Sequence, residues 1–154
     1  MTPAADALIG QLRSPEPSAR LRAAMELGKL NDRALVEDLV EALCTDQDFN
    51  VRETLVWALV RLADGAVIPL IGRLTDPSAL ARKSAAHALS KIGDPRAVDP
   101  LIGLLQDSDL EVVARVTFAL GQIGDARAAP ALVNLLGHDD RDLEATLVLS
   151  LIHI

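Results

Sequence analysis

The stretch IGDPRAVDPLIGLLQD at residues 92–107 returns thirty-one residues later as IGDARAAPALVNLLGH at residues 123–138. The same period runs through the chain of 154 residues, because a Leu followed by Ile or Val recurs at every thirty-first position. These pairs are Leu8-Ile9, Leu39-Val40, Leu70-Ile71, Leu101-Ile102 and Leu132-Val133. Such regular recurrence predicts that the protein is built from stacked structural repeats.

Each copy of the repeat carries the signals of two helices. In the fourth copy, Asp94 can cap the first helix and Pro95 suits its first turn, where a missing N–H costs nothing. In the third copy, Asp76-Pro77 marks the start of the second helix. That helix is predicted to cover residues 79–92 and to stop at Gly93, since glycine readily ends a helix.

Neither helix of a copy can bury its apolar face alone, whereas stacked copies share one core. The pattern IGDPRAVDPLIGLLQDSDLEVVARVTFALGQIGDARA resembles HEAT-like repeats of the type named after phycobilisome lyases, over roughly residues 4–154. The resemblance implies an all-α fold, an α-α superhelix of about five two-helix repeats forming a single domain over 1–154. The expected repeats are 4–31, 32–63, 64–93, 94–124 and an incomplete 125–154. In this family the second helices line the concave surface.

The last six residues, LSLIHI at 149–154, can be encoded by codons resembling a transposase adapter used in sequencing libraries. We therefore expect that these residues are not native and that the natural chain continues. A natural truncated cap is the alternative.

Composition narrows the classes of function. The formal net charge of −7 disfavours nucleic acid as a partner, because binding to phosphates needs positive potential. The sequence contains no run of 18 or more apolar residues, so it predicts no membrane span. Its first residues, MTPAADALIG, lack the features of a signal peptide. A single cysteine, Cys44, fits a reducing compartment. These features together predict a cytoplasmic protein.

A helical wheel separates the core of the second helices from their outward face. One core leucine recurs in the second helix of each copy, at Leu27, Leu59, Leu89, Leu120 and Leu151. When the direction of these leucines is taken as 0°, the position two residues earlier lies about 160° away and places one large side chain per copy outward. This outward column consists of Met25, Trp57, His87, Phe118 and Leu149. Basic residues flank it, namely Arg22, Lys29, Arg61, Lys91 and Arg115.

Two interpretations of the outward column remain open. It can be padding between adjacent second helices, or it can be an interaction surface, since exposed apolar stripes often mark such sites. The second interpretation predicts a concave groove with a cationic border. Its partner would be a protein or peptide that is acidic and carries apolar residues.

Another basic column lies seven residues before the core leucines and consists of Arg20, Arg52 and Arg82. We expect it to be a structural ladder that bonds turn carboxylates or helix ends of the adjacent copy, with ligand binding as the alternative. Val113 and Glu144 interrupt the column in the last two copies.

The sequence contains no candidate catalytic residue. The three histidines, His87, His138 and His153, do not have the spacing of a metal site, and Cys44 has no evident activating partner. We therefore predict no catalytic residue, no metal and no cofactor, and a noncatalytic scaffold that binds a protein or peptide along its concave face. The alternative, from the resemblance, is a bilin lyase subunit or a related tetrapyrrole-handling chaperone, in which Cys44 or His87 contacts the tetrapyrrole.

Overall fold

A computed structural model describes residues 3–137 and 141–154, and within them the chain forms ten α-helices and no strand. His138 lies outside the described residues. The helices are α1 Pro3–Gln11, α2 Pro17–Leu30, α3 Val36–Thr45, α4 Phe49–Arg61, α5 Ala63–Gly72, α6 Ala79–Ile92, α7 Val98–Gly103, α8 Leu110–Ile123, α9 Ala129–Val133 and α10 Arg141–His153. The predicted all-α superhelix of five helix pairs is confirmed.

The second helices begin at side chains that accept hydrogen bonds from otherwise unpaired backbone N–H groups. Asp48 caps α4, Ser78 caps α6 and Asp109 caps α8. The cap of α6 corrects the expectation from the sequence, because Asp76 does not occupy this position. Its carboxylate instead accepts from the backbone N–H of Ser78 at 2.8 Å and shapes the turn before the helix.

Left-handed backbone conformations end three of the second helices. Gly93 follows α6 with φ 73° and Gly124 follows α8 with φ 70°, and glycine adopts this conformation without a steric penalty. Asn31 has φ 51° after α2, and asparagine tolerates this region better than most residues. The predicted bounds of α6 at residues 79–92 are therefore confirmed.

The first helices are shorter, and three of them follow a capped 3-10 turn. Asp32, Asp94 and Asp125 each accept a hydrogen bond from the backbone N–H two residues later, at 2.8 to 2.9 Å. In the fourth copy this turn covers Pro95–Ala97, so Asp94 caps the turn and Pro95 is its first residue, as the sequence predicted.

Successive second helices pack side by side, α2 on α4, α4 on α6, α6 on α8 and α8 on α10. The first helices pack against them as a second layer. Apolar residues of the second helices are fully buried between the layers, namely Leu27, Leu55, Leu59, Ala85, Leu89, Val116 and Leu120, whereas the last core leucine, Leu151, is only partly buried. Burial of each leucine stabilises the fold by about 1.5–3 kcal/mol, and stacked repeats share this core.

Within the described part of the chain, every helix is too short or too polar to cross a lipid bilayer.

Candidate interaction surface

The second helices α4, α6, α8 and α10 together line an open cleft with a volume of about 500 Å³. His87, Phe118 and Arg115, which the sequence placed on the outward face, all line this cleft. Arg52 of the predicted ladder also contributes to its wall. The other predicted surface residues lie outside the cleft, namely Met25, Trp57, Arg22, Lys29, Arg61 and Lys91.

His87 occupies a position in the cleft between the helices on either side of α6. Its Nε2 lies 2.9 Å from Oε1 of Glu53 on α4, and its Nδ1 lies 3.5 Å from Nη1 of Arg115 on α8. The close approach of Glu53 lacks the alignment of a hydrogen bond, so the buried Nε2 has no well-oriented partner among the described residues. The contact is therefore an electrostatic one, which strengthens when the imidazole is protonated.

The environment of His87 disfavours its charged form. Burial lowers the pKa of this histidine, and the positive charges of Arg115 and Lys91 lower it further, against the opposing effect of Glu53. The side chain is only 17% exposed, so it is less accessible than the exposed members of the outward column. The expectation of a fully outward-facing row is wrong at this position, because neighbouring helices enclose the ring.

Charges of both signs meet in the cleft. Lys83 on α6 forms an ion pair with Glu111 on α8, and both side chains line the cleft. Outside the cleft, Lys29 pairs with Glu26 at 2.7 Å. The predicted cationic border is therefore partly neutralised by carboxylates that the sequence analysis did not consider.

Trp57 both packs against α2 and remains accessible to a partner. A Cβ atom added at Gly28 would come within 2.5 Å of Cζ3 of Trp57, so the indole lies directly against that glycine. The guanidinium carbon of Arg61 lies 5.2 Å from the indole centroid, and Arg61 Nε donates to the carbonyl of Gly28 at 3.1 Å. The tryptophan is nevertheless 42% exposed.

The remaining members of the predicted surface are accessible. Met25, Phe118 and Leu149 of the outward column are all exposed. Arg22 and Lys91 are exposed and form no ion pair with any residue in the described ranges. These two basic side chains are therefore available to an incoming negative group.

The arginine column forms contacts around the turns. Arg20 donates from Nε and Nη2 to both carboxylate oxygens of Asp46, at 2.7 and 3.0 Å, and its Nη1 bonds the carbonyl of Ser14 at 2.9 Å. Arg82 repeats this pattern with Asp107, at 2.7 and 2.9 Å. Each of these arginines thus joins its own turn to the next repeat.

Arg52 differs from the other two arginines of the column. Its Nη1 donates to the carbonyl of Asp46 at 2.9 Å, and it forms no ion pair with a described carboxylate. The matching turn acid, Asp76, lies 3.5 Å from Arg73 instead.

Several cleft residues were missed by the sequence analysis although the helical wheel contains them. Glu53 and Lys83 lie six residues before their core leucines, about 120° from the core direction, and Glu111 lies nine before, at about 180°. Phe49 lies at about 80° on the first residue of α4, so the wheel does not identify it as outward. It is 64% exposed and lines the cleft.

Cys44 lies buried and is unsuited to nucleophilic chemistry. Burial raises the pKa of its thiol to about 11, against the opposing effect of Arg73, so the thiol stays protonated near neutral pH. In the ranges 3–137 and 141–154, no group of three or more His, Cys, Asp or Glu residues is arranged to hold a metal ion.

Solved structures with the same architecture include proteins of different origin. A chain of the CpcE–CpcF complex of phycocyanin lyase from Nostoc sp. PCC7120 is 27% identical, with a TM-score of 0.68 over 99% of this chain and 65% of its own length. This protein therefore spans about two thirds of that chain. An engineered protein matches at 23% identity and TM-score 0.62, over 99% of this chain and 79% of the other.

A computationally designed armadillo repeat protein for modular peptide recognition matches at 20% identity and TM-score 0.60, over 98% of this chain and 82% of its own. The two matches below 25% identity show the shared fold alone. No curated protein matches this chain. The family model for HEAT repeats matches residues 5–90 and 68–152, which together cover most of the sequence. The chain therefore belongs to the HEAT repeat family.

Proposed function

We propose that this chain is a noncatalytic scaffold that binds an extended segment of a protein partner in the cleft across α4, α6, α8 and α10. The observation that carries the proposal is the cleft itself, where Phe49 and Phe118 remain 64% and 37% exposed. Exposed aromatic side chains beside polar groups are typical of binding surfaces, since aromatic anchors supply much of the binding energy.

The proposed partner segment carries apolar side chains for the two phenylalanines and at least one carboxylate. Arg22 and Lys91 are exposed without ion pairs to described residues, and Arg115 lines the cleft. Met25 and Trp57 extend the apolar surface beyond the cleft toward α2. In this arrangement Trp57, flanked by Arg61, provides a second aromatic contact for a long segment.

A random linear peptide library, displayed on phage and selected against the full chain, tests this function. We expect enriched peptides whose affinity falls at least tenfold in Phe118→Ala, because an aromatic anchor is removed. Ile68→Ala is the matched control, since Ile68 is 61% exposed on α5 in the other layer. Absence of any enriched peptide, or equal affinity for the Phe118→Ala variant, would contradict the proposal.

The similarity to a phycocyanin lyase chain favours a second candidate function, the handling of an open-chain tetrapyrrole. The cleft volume of about 500 Å³ is in the range of small-molecule sites, and His87 offers a polar contact inside it. Because Cys44 is buried, only His87 of the two expected residues would contact the tetrapyrrole.

Visible absorbance distinguishes this candidate. Binding of free biliverdin in the cleft is expected to shift and sharpen its long-wavelength band, and His87→Gln is expected to reduce the shift. An unchanged spectrum at protein concentrations of about 100 μM, well above typical affinities for such pockets, would argue against tetrapyrrole handling.

A further inference from the structure

Arg115 is a cation in the cleft that lacks a carboxylate partner. Lys83 is paired with Glu111, and Glu53 is held against His87. The guanidinium of Arg115 meets only Nδ1 of His87, at 3.5 Å, and pairs with no acid in the described part of the chain. Glu111 pairs with Lys83 and Glu53 lies beside His87, so neither carboxylate occupies the donors of Arg115.

Ser84 is a second unused donor in the same cleft. This serine on α6 is only 6% exposed and lines the cleft, yet its hydroxyl has no hydrogen-bond partner among the described residues. The other two buried serines are satisfied internally: Ser90 donates to the carbonyl of His87 at 2.7 Å, and Ser150 donates to the carbonyl of Thr117 at 2.9 Å. The buried side-chain atoms without a partner in the described ranges are Nε2 of His87 and Oγ1 of Thr117, so the unpartnered hydroxyl of Ser84, which is not among them, is reached from the cleft.

We propose that Arg115 and Ser84 form a subsite that receives one side-chain carboxylate of the bound protein segment. This inference rests on the proposed scaffold function and adds the chemistry of one contact. A carboxylate accepts hydrogen bonds from both a guanidinium and a hydroxyl, and charge-assisted bonds of this kind are strong. Phe118 lies one turn after Arg115 on α8, so an apolar side chain of the segment lies beside the carboxylate.

The test compares peptides selected from the random library with their amide counterparts. Fluorescence anisotropy gives the Kd of a labelled peptide and of the same peptide with Asp→Asn or Glu→Gln at the shared acidic position. We expect the amide peptide to bind the unaltered protein at least tenfold more weakly. With Arg115→Gln the acidic and amide peptides should bind equally, because the partner of the carboxylate has been removed.

Two further variants isolate the subsite. Arg13→Gln makes the same substitution at an exposed arginine in the turn after α1, outside the cleft, and it should change the affinity of the acidic peptide less than threefold. Ser84→Ala should weaken the acidic peptide while leaving the urea midpoint of unfolding unchanged or higher, since a hydroxyl without a partner is removed. A merely structural role of Ser84 would lower that midpoint.

The possible outcomes separate this inference from the proposed function. Selected peptides without a fixed acidic position, or a persistent preference for acid in Arg115→Gln, would overturn the subsite and leave the scaffold function intact. A library that yields no binding peptide would overturn both.

Discussion

The enclosed position of His87 makes the stability of the protein depend on pH. Its pKa is lowered mainly by burial, so below the ordinary imidazole value of 6.5 the unfolded chain binds more protons than the folded chain. Stability from the neutral ring is therefore present above that value and is lost as the pH falls through the lowered pKa. Glu53 opposes this effect from α4, while Arg115 and Lys91 reinforce it.

Replacement of His87 by Gln should make stability less dependent on pH. Between pH 7 and pH 5, urea unfolding is expected to show a smaller loss of unfolding free energy in His87→Gln than in the unaltered protein. The slope of unfolding free energy against pH should differ between the two proteins by at most the uptake of about one proton. A loss that is equal or larger in the variant would mean that the histidine is not held neutral.

Cys44 should react slowly in the folded protein. With a thiol pKa of about 11 in place of 9.0, the thiolate fraction at pH 8 falls by roughly a hundredfold, and burial blocks access as well. Reaction with DTNB, followed by absorbance, is expected to be at least that much slower in buffer than in 8 M urea. Comparable rates in the two solvents would contradict the buried position of the thiol.

At the scale of elements, Gly28 and Gly103 differ in the space that is available for a side chain. At Gly28 on α2, an added Cβ would lie 2.5 Å from Trp57 and 2.9 Å from Cβ of Ala58 on α4, so the two helices approach closely only because this residue has no side chain. At Gly103, the last residue of α7, an added Cβ meets nothing within 4 Å and the backbone has φ −58°.

Gly28→Ala should destabilise the fold by about 1–3 kcal/mol because it overpacks the contact between α2 and α4. Gly103→Ala should stabilise it by about 0.4–1 kcal/mol, since alanine restricts the unfolded chain and fits the helix. Urea denaturation of both variants measures the difference, and Trp57 fluorescence should change only in Gly28→Ala. Equal effects of the two substitutions would show that the helices can separate at no cost.

The arginine column connects elements of successive repeats. Arg82 bonds both oxygens of Asp107 and the carbonyls of Asp76 and Pro77, and the side chains of the ion pair are only 14% and 9% exposed. By contrast Arg96, with 51% of its side chain exposed, pairs with Asp94 inside one turn. The first arrangement joins repeats, whereas the second closes a local loop.

Arg82→Ala should therefore cost about 1–3 kcal/mol, because the part-buried Asp107 loses a charged partner while keeping the hydrogen bond from the backbone N–H of Asp109. Arg96→Ala should cost much less than Arg82→Ala, as expected for an exposed ion pair inside one turn. Thermal or urea unfolding of the two variants provides the comparison. A small effect at Arg82 would assign the ladder a role other than stability, such as ligand binding.

At the scale of the whole molecule, stability is distributed along the stack because each repeat contacts only its neighbours. Leu89 lies fully buried on α6, between α4 and α8, whereas Phe118 lies at the edge of the cleft. The same truncation at these two positions separates folding from binding.

Leu89→Ala should lower the unfolding free energy by about 2–5 kcal/mol through lost burial and a new cavity. Phe118→Ala should lower it by about 1 kcal/mol or less while weakening partner binding. Far-UV circular dichroism during urea titration measures both. If Phe118→Ala proved as destabilising as Leu89→Ala, the phenylalanine would belong to the core and the cleft would lose a binding residue.

Local sequence was sufficient to predict the helices, the repeat period and the core. Gly93 and Gly124 end helices because of their own backbone freedom, and the leucine columns are buried because their spacing places them on one helix face. Helix ends and buried faces depend on residues within a few positions of one another, and the thirty-one-residue period repeats them along the chain, so the architecture could be predicted without knowledge of the contacts between helices.

The chemistry of the cleft depended on the offset between neighbouring helices. Only the tertiary structure brings Glu53 and Arg115 to opposite sides of His87 and pairs Lys83 with Glu111. The helical wheel gives the direction of each side chain from its own axis but not its height relative to the next helix. Packing sets that height and therefore determines which charged side chains form ion pairs and which, like Arg115, remain available to a partner.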